Sequence, residues 1–239
     1  MDFACIEAER RSGVGVITLR RPEKLNALSI DMRNEITRCL ASWRDAKDVG
    51  AVIFTGAGRA FSSGFDLEEF KQTSRLEELF KSSARYHREV WRFPKPTIAA
   101  VNGIAAGGGF DLATLCDIRI CSEEARFVHP ELKHGAPPLF SPLRWIVGDG
   151  VARELCLTRR TIDAREAHGI RLVSEVVGAE EVVARAEALA RTIAEAPPDA
   201  VQYTKAFFSR GGGYDFEDCF SFEHDRPFRE LILRPERWR

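Results

Sequence analysis

The sequence predicts an α/β fold with a helical C-terminal appendage. Three observations predict it. Short apolar runs bounded by glycine or proline alternate with amphipathic stretches over the first three quarters of the chain. Glycine clusters stand at the junctions between these runs. From residue 180 onward only helical spacing remains. The 239 residues allow one large domain or two small ones, at roughly 100–200 residues per domain. A chain of this size hides about 70% of its extended surface on folding, so a substantial core needs no covalent staples.

Each element has its own signal. Residues 5–9 and 14–19 read as short strands around Ser12-Gly13. Arg20-Arg21-Pro22 breaks the pattern. Ser29 is suited to cap a helix to about residue 44, where Met32, Ile36, Leu40 and Trp43 recur at helical spacing. Residues 51–55, AVIFT, form a short buried strand ended by Gly56-Ala57-Gly58. Residues 60–70 read as a tight irregular segment. A second amphipathic helix covers 76–93 and stops at Pro94 and Pro96. Then come a strand at 97–101, a glycine turn at 107–109, a helix at 110–116 and a strand at 118–121. Strand and helix pieces alternate to about 177. A strongly helical run at 180–196 ends in Pro197-Pro198, and further helices cover 199–210 and 216–232. No fixed-period repeat is evident, although a strand–strand–helix rhythm recurs loosely.

Charge and cysteine content remove several function classes. The 35 basic and 36 acidic residues leave a net charge of −1, without the basic excess of a nucleic-acid binder. Hydrophobic residues at 44% and charged residues at 30% are the mix of a soluble globular protein. Cysteines 5, 39, 116, 121, 156 and 219 include no C-x-x-C pair, which predicts scattered thiols in a reducing compartment and a cytoplasmic location. The opening residues MDFACIEAERRSG carry three acids and no continuous apolar stretch, unlike a secretory signal. Residues 97–116 are long enough to span a membrane. Their four glycines, Asn102 and Asp111 make a buried strand, turn and helix the better reading.

The chain has no G-x-S-x-G, Walker A, G-x-G-x-x-G or H-E-x-x-H motif. Two features remain. One is the run 60–66, AFSSGFD, just past a strand. The other is Gly107-Gly108-Gly109, between a strand and a helix. Each is either a sharp turn in a crowded sheet or a place where backbone N–H groups meet a ligand. Two such places facing one another would form a pair of donors for a developing negative oxygen. Asp111 alone reads as a helix-start acid and Glu131 alone as a surface acid. Paired, they can share acid and base roles across one substrate. His129, His134 and His168 are weaker candidates, better read as partly exposed polar residues or supporting partners.

Together these pieces resemble the crotonase superfamily, also called the enoyl-CoA hydratase/isomerase family. The likeness runs from about residue 14 to 210. Its landmarks are RPEKLNALS at 21–29, AVIFTGAGRAFSSGFDLEEF at 51–70, FPKPTIAAVNGIAAGGGFDLATLCDIRI at 93–120, ARFVHPELKHG at 125–135 and LTRRTIDAREAHGIRLVSEVV at 157–177. The resemblance implies a spiral of strand–strand–helix turns over residues 1–196, with residues 197–239 as a helical region for assembly into a homotrimer or a dimer of trimers. It implies an acyl-CoA thioester substrate and no metal or redox cofactor. The backbone N–H groups of Phe65 and Gly108 match the family's oxyanion-hole positions. Lys24 and Leu25, with Ser63, Gly64, Phe65, Asp66, Leu67 and Gly108, match where such proteins hold the CoA moiety. Asp111 and Glu131 fall on the two catalytic glutamates of the hydratases.

Three departures stand out. Asp111 is one methylene shorter than the usual glutamate and resembles the dienoyl-CoA isomerase branch. Three prolines in GAPPLFSP at 135–142 replace a glycine-rich stretch that walls the acyl pocket. Glu68 stands where a lysine is common. The expected activity is hydration of a 2-enoyl-CoA. Double-bond isomerisation on the same site is the alternative, and a non-catalytic CoA-ester-binding trimer is the rival from another class. The tail carries Val201, Phe207, Phe208, Tyr214, Phe216, Phe220, Phe222 and Phe228. The expectation is that Gly211-Gly212-Gly213 lets the final helix swing away from its own body and bury this face against a neighbour.

Overall fold

The structure is a computed structural model and describes residues 2–208, 216–226 and 228–233. Strands β1 (Ile6–Arg11) and β2 (Val14–Leu19) pair as an antiparallel hairpin, with Ile6 opposite Leu19 and Arg11 opposite Val14. Helix α1 (Ile30–Trp43) starts at Ser29, whose hydroxyl accepts from the Met32 N–H at 3.2 Å. Its face of Met32, Ile36, Cys39, Leu40 and Trp43 is buried. Gly15 lets Trp43 reach the sheet: a Cβ there would lie 2.4 Å from the indole.

Three strand–strand–helix turns follow. The first contains β3 (Ala51–Gly56), β4 (Ala60–Ser62), a short α2 (Leu67–Phe70) and α3 (Leu76–Trp91). The second contains β5 (Thr97–Val101), β6 (Ile104–Ala106) and α4 (Gly108–Leu115). The third contains β7 (Ile118–Ser122), β8 (Arg126–Val128), α5 (Phe140–Val147) and α6 (Asp149–Thr158). Then come β9 (Ile162–Asp163), α7 (Ala164–Gly169), β10 (Glu175–Val177), α8 (Val182–Ala194), α9 (Pro198–Phe208) and α10 (Phe216–Phe220). The chain continues as π-helical turns at Ser221–Asp225 and Phe228–Ile232.

The first strand of each turn enters one sheet, in the order β1-β2-β3-β5-β7-β10, parallel beyond the hairpin. The second strand of each enters another, in the order β4-β6-β8-β9, with β4, β6 and β8 parallel. This is the expected spiral. Strands β3 and β5 are buried along their whole length, which is why they read as continuous apolar runs. Val14, Val16, Ala51, Ile53, Ile98 and Ala100 face α8 through Val182, Ala186 and Ala190. Alternate residues such as Ile17, Leu19, Val52 and Phe54 face the main core with α1 and α3.

Two expectations change. The segment 60–70 is not irregular: it holds β4, a parallel bridge from Leu28 to Phe65, and α2. A three-residue strand is too short to show a period, so β4, β6 and β8 escape pattern reading. The tail does not swing away. Phe216 stacks on Trp91 at 4.6 Å, Phe220 lies 5.3 Å from His87, and Phe228 lies 5.3 Å from Phe80. Arg88 binds both Glu217 at 2.7 Å and Asp225 at 2.6 Å. Helix α3 thus offers an apolar stripe and a cation that match the tail, and Phe216, Phe220 and Phe228 are buried within their own chain. Gly211-Gly212-Gly213, Tyr214 and the side chains of Phe207 and Phe222 lie outside the described residues. On α9, Tyr203 and Phe208 remain exposed at 71% and 58%.

Candidate active site

Three site segments emerge from the C-terminal ends of three parallel strands. Residues 63–67 follow β4, Gly107 and Gly108 follow β6, and residues 129–131 follow β8. Because β4 neighbours β6 and β6 neighbours β8 in one sheet, segments that are far apart in sequence converge at one end of it. This is where parallel sheets place ligands. Gly107 N–H donates to Val128 C=O at 3.0 Å and ties the second segment to the third.

The glycines allow close approach. Gly64 has φ +92°, and a Cβ there would lie 2.7 Å from Ala106 O and 3.1 Å from Gly108 N. A Cβ on Gly108 would lie 2.8 Å from the Phe65 ring. Gly108 opens α4, so its N–H has no helical carbonyl four residues back. The Phe65 ring is held by stacking against Phe70 at 6.3 Å and by the Arg33 guanidinium 4.5 Å above it. Arg33 is fully buried. It donates to Leu28 C=O at 2.8 Å and Ser82 Oγ at 3.1 Å, and burial lowers its pKa to about 10. Leu28 N–H in turn donates to Gly64 C=O at 2.8 Å. The 63–67 loop is thereby braced from beneath.

A cavity of about 150 Å³ lies between these segments, lined in part by Gly64, Phe65, Gly108, Asp111, Glu131 and Leu139. Asp111 is buried on the first turn of α4. Glu131 follows Pro130 and lies over the glycine turn, where a Cβ on Gly107 would come 3.4 Å from its Oε1. Single carboxylate oxygens of Asp111 and Glu131 and a ring nitrogen of His129 lie within 4.8 Å of one another. Two carboxyl groups at this spacing, beside a helix-start N–H, can hold one water and move its protons.

The candidates divide cleanly. Ser63, Gly64, Phe65, Leu67, Gly108, Asp111 and Glu131 all line the cavity. Lys24 and Leu25 do not, but their carbonyls hold the rim: Lys24 C=O accepts from Ser63 Oγ at 3.2 Å and Leu25 C=O from Ser63 N–H at 2.9 Å. Asp66 turns to structural partners, bonding Arg21 at 2.9 Å and capping α2 through the Glu68 N–H at 3.2 Å. Glu68 is exposed and pairs with Lys71 at 2.7 Å. Ala136 and Pro137 form part of the cavity wall, so the proline segment does border the pocket. His129 is buried with Nδ1 3.1 Å from Glu131 Oε1, and His134 lines the cavity. His168 lies by a separate surface depression beside Arg171.

Sequence reading missed His87, His224, Phe70 and Phe228, which also line the cavity. One signal was available for the first. Ser83 and His87 stand four apart on the buried face of α3, among Leu79, Phe80, Tyr86 and Val90.

The sequence profile of the enoyl-CoA hydratase/isomerase family matches residues 9–220. The chain belongs to this family. A probable enoyl-CoA hydratase of Mycobacterium bovis is 37% identical over 213 residues, which cover 88% of this chain and 83% of that protein. A short-chain-enoyl-CoA hydratase of Clostridium acetobutylicum is 36% identical over 231 residues, 94% of this chain and 88% of its own length. A 4-chlorobenzoyl coenzyme A dehalogenase of an Arthrobacter species is 34% identical over 227 residues, covering 91% and 82%. Among solved structures, an enoyl-CoA hydratase/isomerase from Xanthobacter autotrophicus Py2 superposes with a TM-score of 0.88 at 34% identity, covering 98% of this chain and 88% of that one. Among the described residues, no helix is long and apolar enough to cross a membrane.

Proposed function

We propose that this family member hydrates the 2,3 double bond of a 2-enoyl-CoA. The observation that carries the reading is the approach of the Asp111 and Glu131 carboxyl groups to within 4.8 Å beside the Gly108 N–H. In this reading the N–H groups of Gly108 and Phe65 bind the thioester oxygen and stabilise the enolate-like state. Asp111 and Glu131 hold a water between them. One delivers a proton to C2 while the other takes a proton from the water that adds to C3. The small cavity suits a short acyl group. The rim of Lys24, Leu25 and Ser63–Leu67 holds the CoA moiety, chiefly through backbone, and no metal or redox cofactor takes part.

Asp111 supports a second reading. An aspartate at this position resembles the dienoyl-CoA isomerase branch, and one acid moving a proton along the acyl chain gives double-bond isomerisation. Incubation with a panel of enoyl-CoA esters and mass analysis of the products separates the two. Gain of one water is the expected result; product of unchanged mass with a shifted double bond would replace hydration by isomerisation, and unaltered ester with tight binding would leave only a CoA-ester-binding protein.

We further infer a cytoplasmic trimer or dimer of trimers. The exposed Tyr203 and Phe208 on α9 support an interface in the 197–239 region. Sedimentation of the intact chain at micromolar concentration checks this, and a monomer would overturn it.

A further inference from the structure

Five rings that line the cavity touch one another in a closed loop. Between ring centres, Phe65 lies 6.3 Å from Phe70, and Phe70 lies 6.5 Å from Phe228. Phe228 lies 5.2 Å from His224, and His224 lies 5.1 Å from His87. His87 closes the loop on Phe65 at 6.0 Å. All five border the same space. Every step falls in the range of about 4.5–7 Å at which aromatic rings attract one another. Leu67, Pro137 and Leu139 add apolar wall.

Four parts of the chain assemble this collar. Phe65 follows β4, Phe70 ends α2, His87 stands on α3, and His224 and Phe228 come from the π-helical turns of the tail. Polar contacts hold the tail's share in place. His224 Nε2 lies 2.7 Å from Ser83 Oγ and its Nδ1 lies 2.9 Å from Asp225 Oδ1, while Arg88 binds Asp225 at 2.6 Å. Phe228 packs on Phe80 at 5.3 Å. Phe65 joins the collar to the chemistry. Its N–H belongs to the proposed hole for the thioester oxygen and its ring to the collar, so the rings meet the acyl group and not the CoA moiety.

Resting on the hydratase reading, we propose that the collar selects a flat, ring-bearing acyl group, that of an aryl-substituted enoyl-CoA, over a flexible alkyl chain, with His224 and Phe228 of the tail as specificity-determining residues. Size supports this first. The cavity holds about 150 Å³, and an apolar cavity of about that volume takes up a benzene ring. Ring chemistry supports it next. The collar's rings tilt against one another by 23° to 62°, so a guest ring finds both faces and edges to meet in offset and edge-to-face contacts. A saturated chain offers neither and loses the freedom of each bond that it freezes. Charge decides between the two guests that suit a cage of rings. Such cages also attract quaternary ammonium groups. Here the buried Arg33 guanidinium already sits 4.5 Å from the Phe65 ring, and a buried charge is screened little. It repels a cationic guest and leaves a neutral aryl group as the occupant.

Calorimetric titration of the intact protein with three saturated, non-reacting esters tests this. The probes are 3-phenylpropanoyl-CoA, nonanoyl-CoA, which has the same number of acyl carbons, and 4-(trimethylammonio)butanoyl-CoA. The phenyl ester should bind tighter than either of the others by about tenfold, the scale of one or two added ring contacts. Equal or tighter binding of the nonanoyl ester overturns the proposal, and so does equal or tighter binding of the cationic ester. Phe228→Leu keeps apolar bulk and removes the ring. It should lower the preference for the phenyl ester over butanoyl-CoA by about three- to tenfold. Loss of the tail's packing alone would weaken both esters together, so an unchanged preference in folded Phe228→Leu overturns the role given to the tail. If that variant does not fold, Phe70→Leu on the other side of the loop, expected to lower the same preference, and the wild-type titrations decide. None of these titrations needs turnover. Failure to hydrate any enoyl-CoA would sink the hydratase reading while the collar is still decided by binding. Hydration of 2-butenoyl-CoA without a preference for the phenyl ester would keep that reading and sink the collar.

Discussion

The starts of β5 and β7 in the large sheet and the strand ends of the small sheet both bury charged and polar groups, but they treat them differently. At the large sheet, Lys95 Nζ donates to Trp43 and Ala46 carbonyls, both at 2.6 Å. Lys205 Nζ reaches Asp117 and the Lys95 carbonyl at 2.7 Å each. Arg119 donates to Leu172 C=O at 2.8 Å and Cys116 C=O at 2.5 Å. Every one of these cations is answered from within the protein, which is what stability demands of a buried charge. Around the cavity, by contrast, Glu131 Oε2, His129 Nε2, Tyr86 Oη and one Arg33 nitrogen are buried without a hydrogen-bond partner, whereas on the Lys205 side the described atom in that state is the neutral Trp91 Nε1. An orphaned buried group costs about 1–3 kcal/mol. Several such groups lie close to the cavity, and Glu131 lines it.

The largest expected effect that sharpens this contrast is on the acids. Glu131→Gln and Asp111→Asn preserve shape and remove the proton chemistry, so each should lower kcat by about 10²–10⁴-fold with little change in melting temperature. Steady-state kinetics beside calorimetry checks both halves. If neither substitution slows any CoA-ester reaction, the paired acids are not the catalytic centre.

Gly108→Pro removes one N–H donor and brings a ring toward Phe65. It should cost about 10²–10³-fold in turnover, as for loss of one oxyanion donor. Near-normal turnover in a folded Gly108→Pro protein would falsify the role given to that N–H.

Lys205→Met probes the other region. It leaves the half-buried Asp117 without its cation and should destabilise the fold by about 1–3 kcal/mol, read by urea unfolding. Turnover of the folded fraction should be unchanged, because Lys205 lines a different depression from the acids. Lost turnover with intact stability would erase the distinction between the regions.

The smallest effect is a pH dependence of stability. Burial lowers the folded-state pKa of both His87 and His224 below the ordinary value. The unfolded chain therefore binds protons first once the pH falls below about 6.5. Stability present above that pH should be lost progressively as pH falls further. Melting curves from pH 8 to pH 5 measure it, and His87→Phe should flatten the acid side. A melting temperature that rises on acidification contradicts the neutral, buried state of the pair.

Sequence by itself determined the elements whose signal is local. Helix α1 shows its cap at Ser29 and its apolar stripe within 15 residues, and β3 and β5 show themselves as uninterrupted apolar runs. The family motifs, the glycine turns and both acids were legible because each is a short stretch of fixed chemistry. Tertiary structure alone decided what depends on distant contacts. The three-residue strands β4, β6 and β8 exist because the larger sheet sets them side by side, and no three-residue run has a period to read. The cavity inherits its walls from the ends of those strands. The tail's course was undecidable from its phenylalanines, since an apolar face specifies burial and not the surface that covers it. Arg88 and Asp225 stand 137 residues apart, and only the folded chain brings the tail onto α3, where Phe220 and His224 lie against His87.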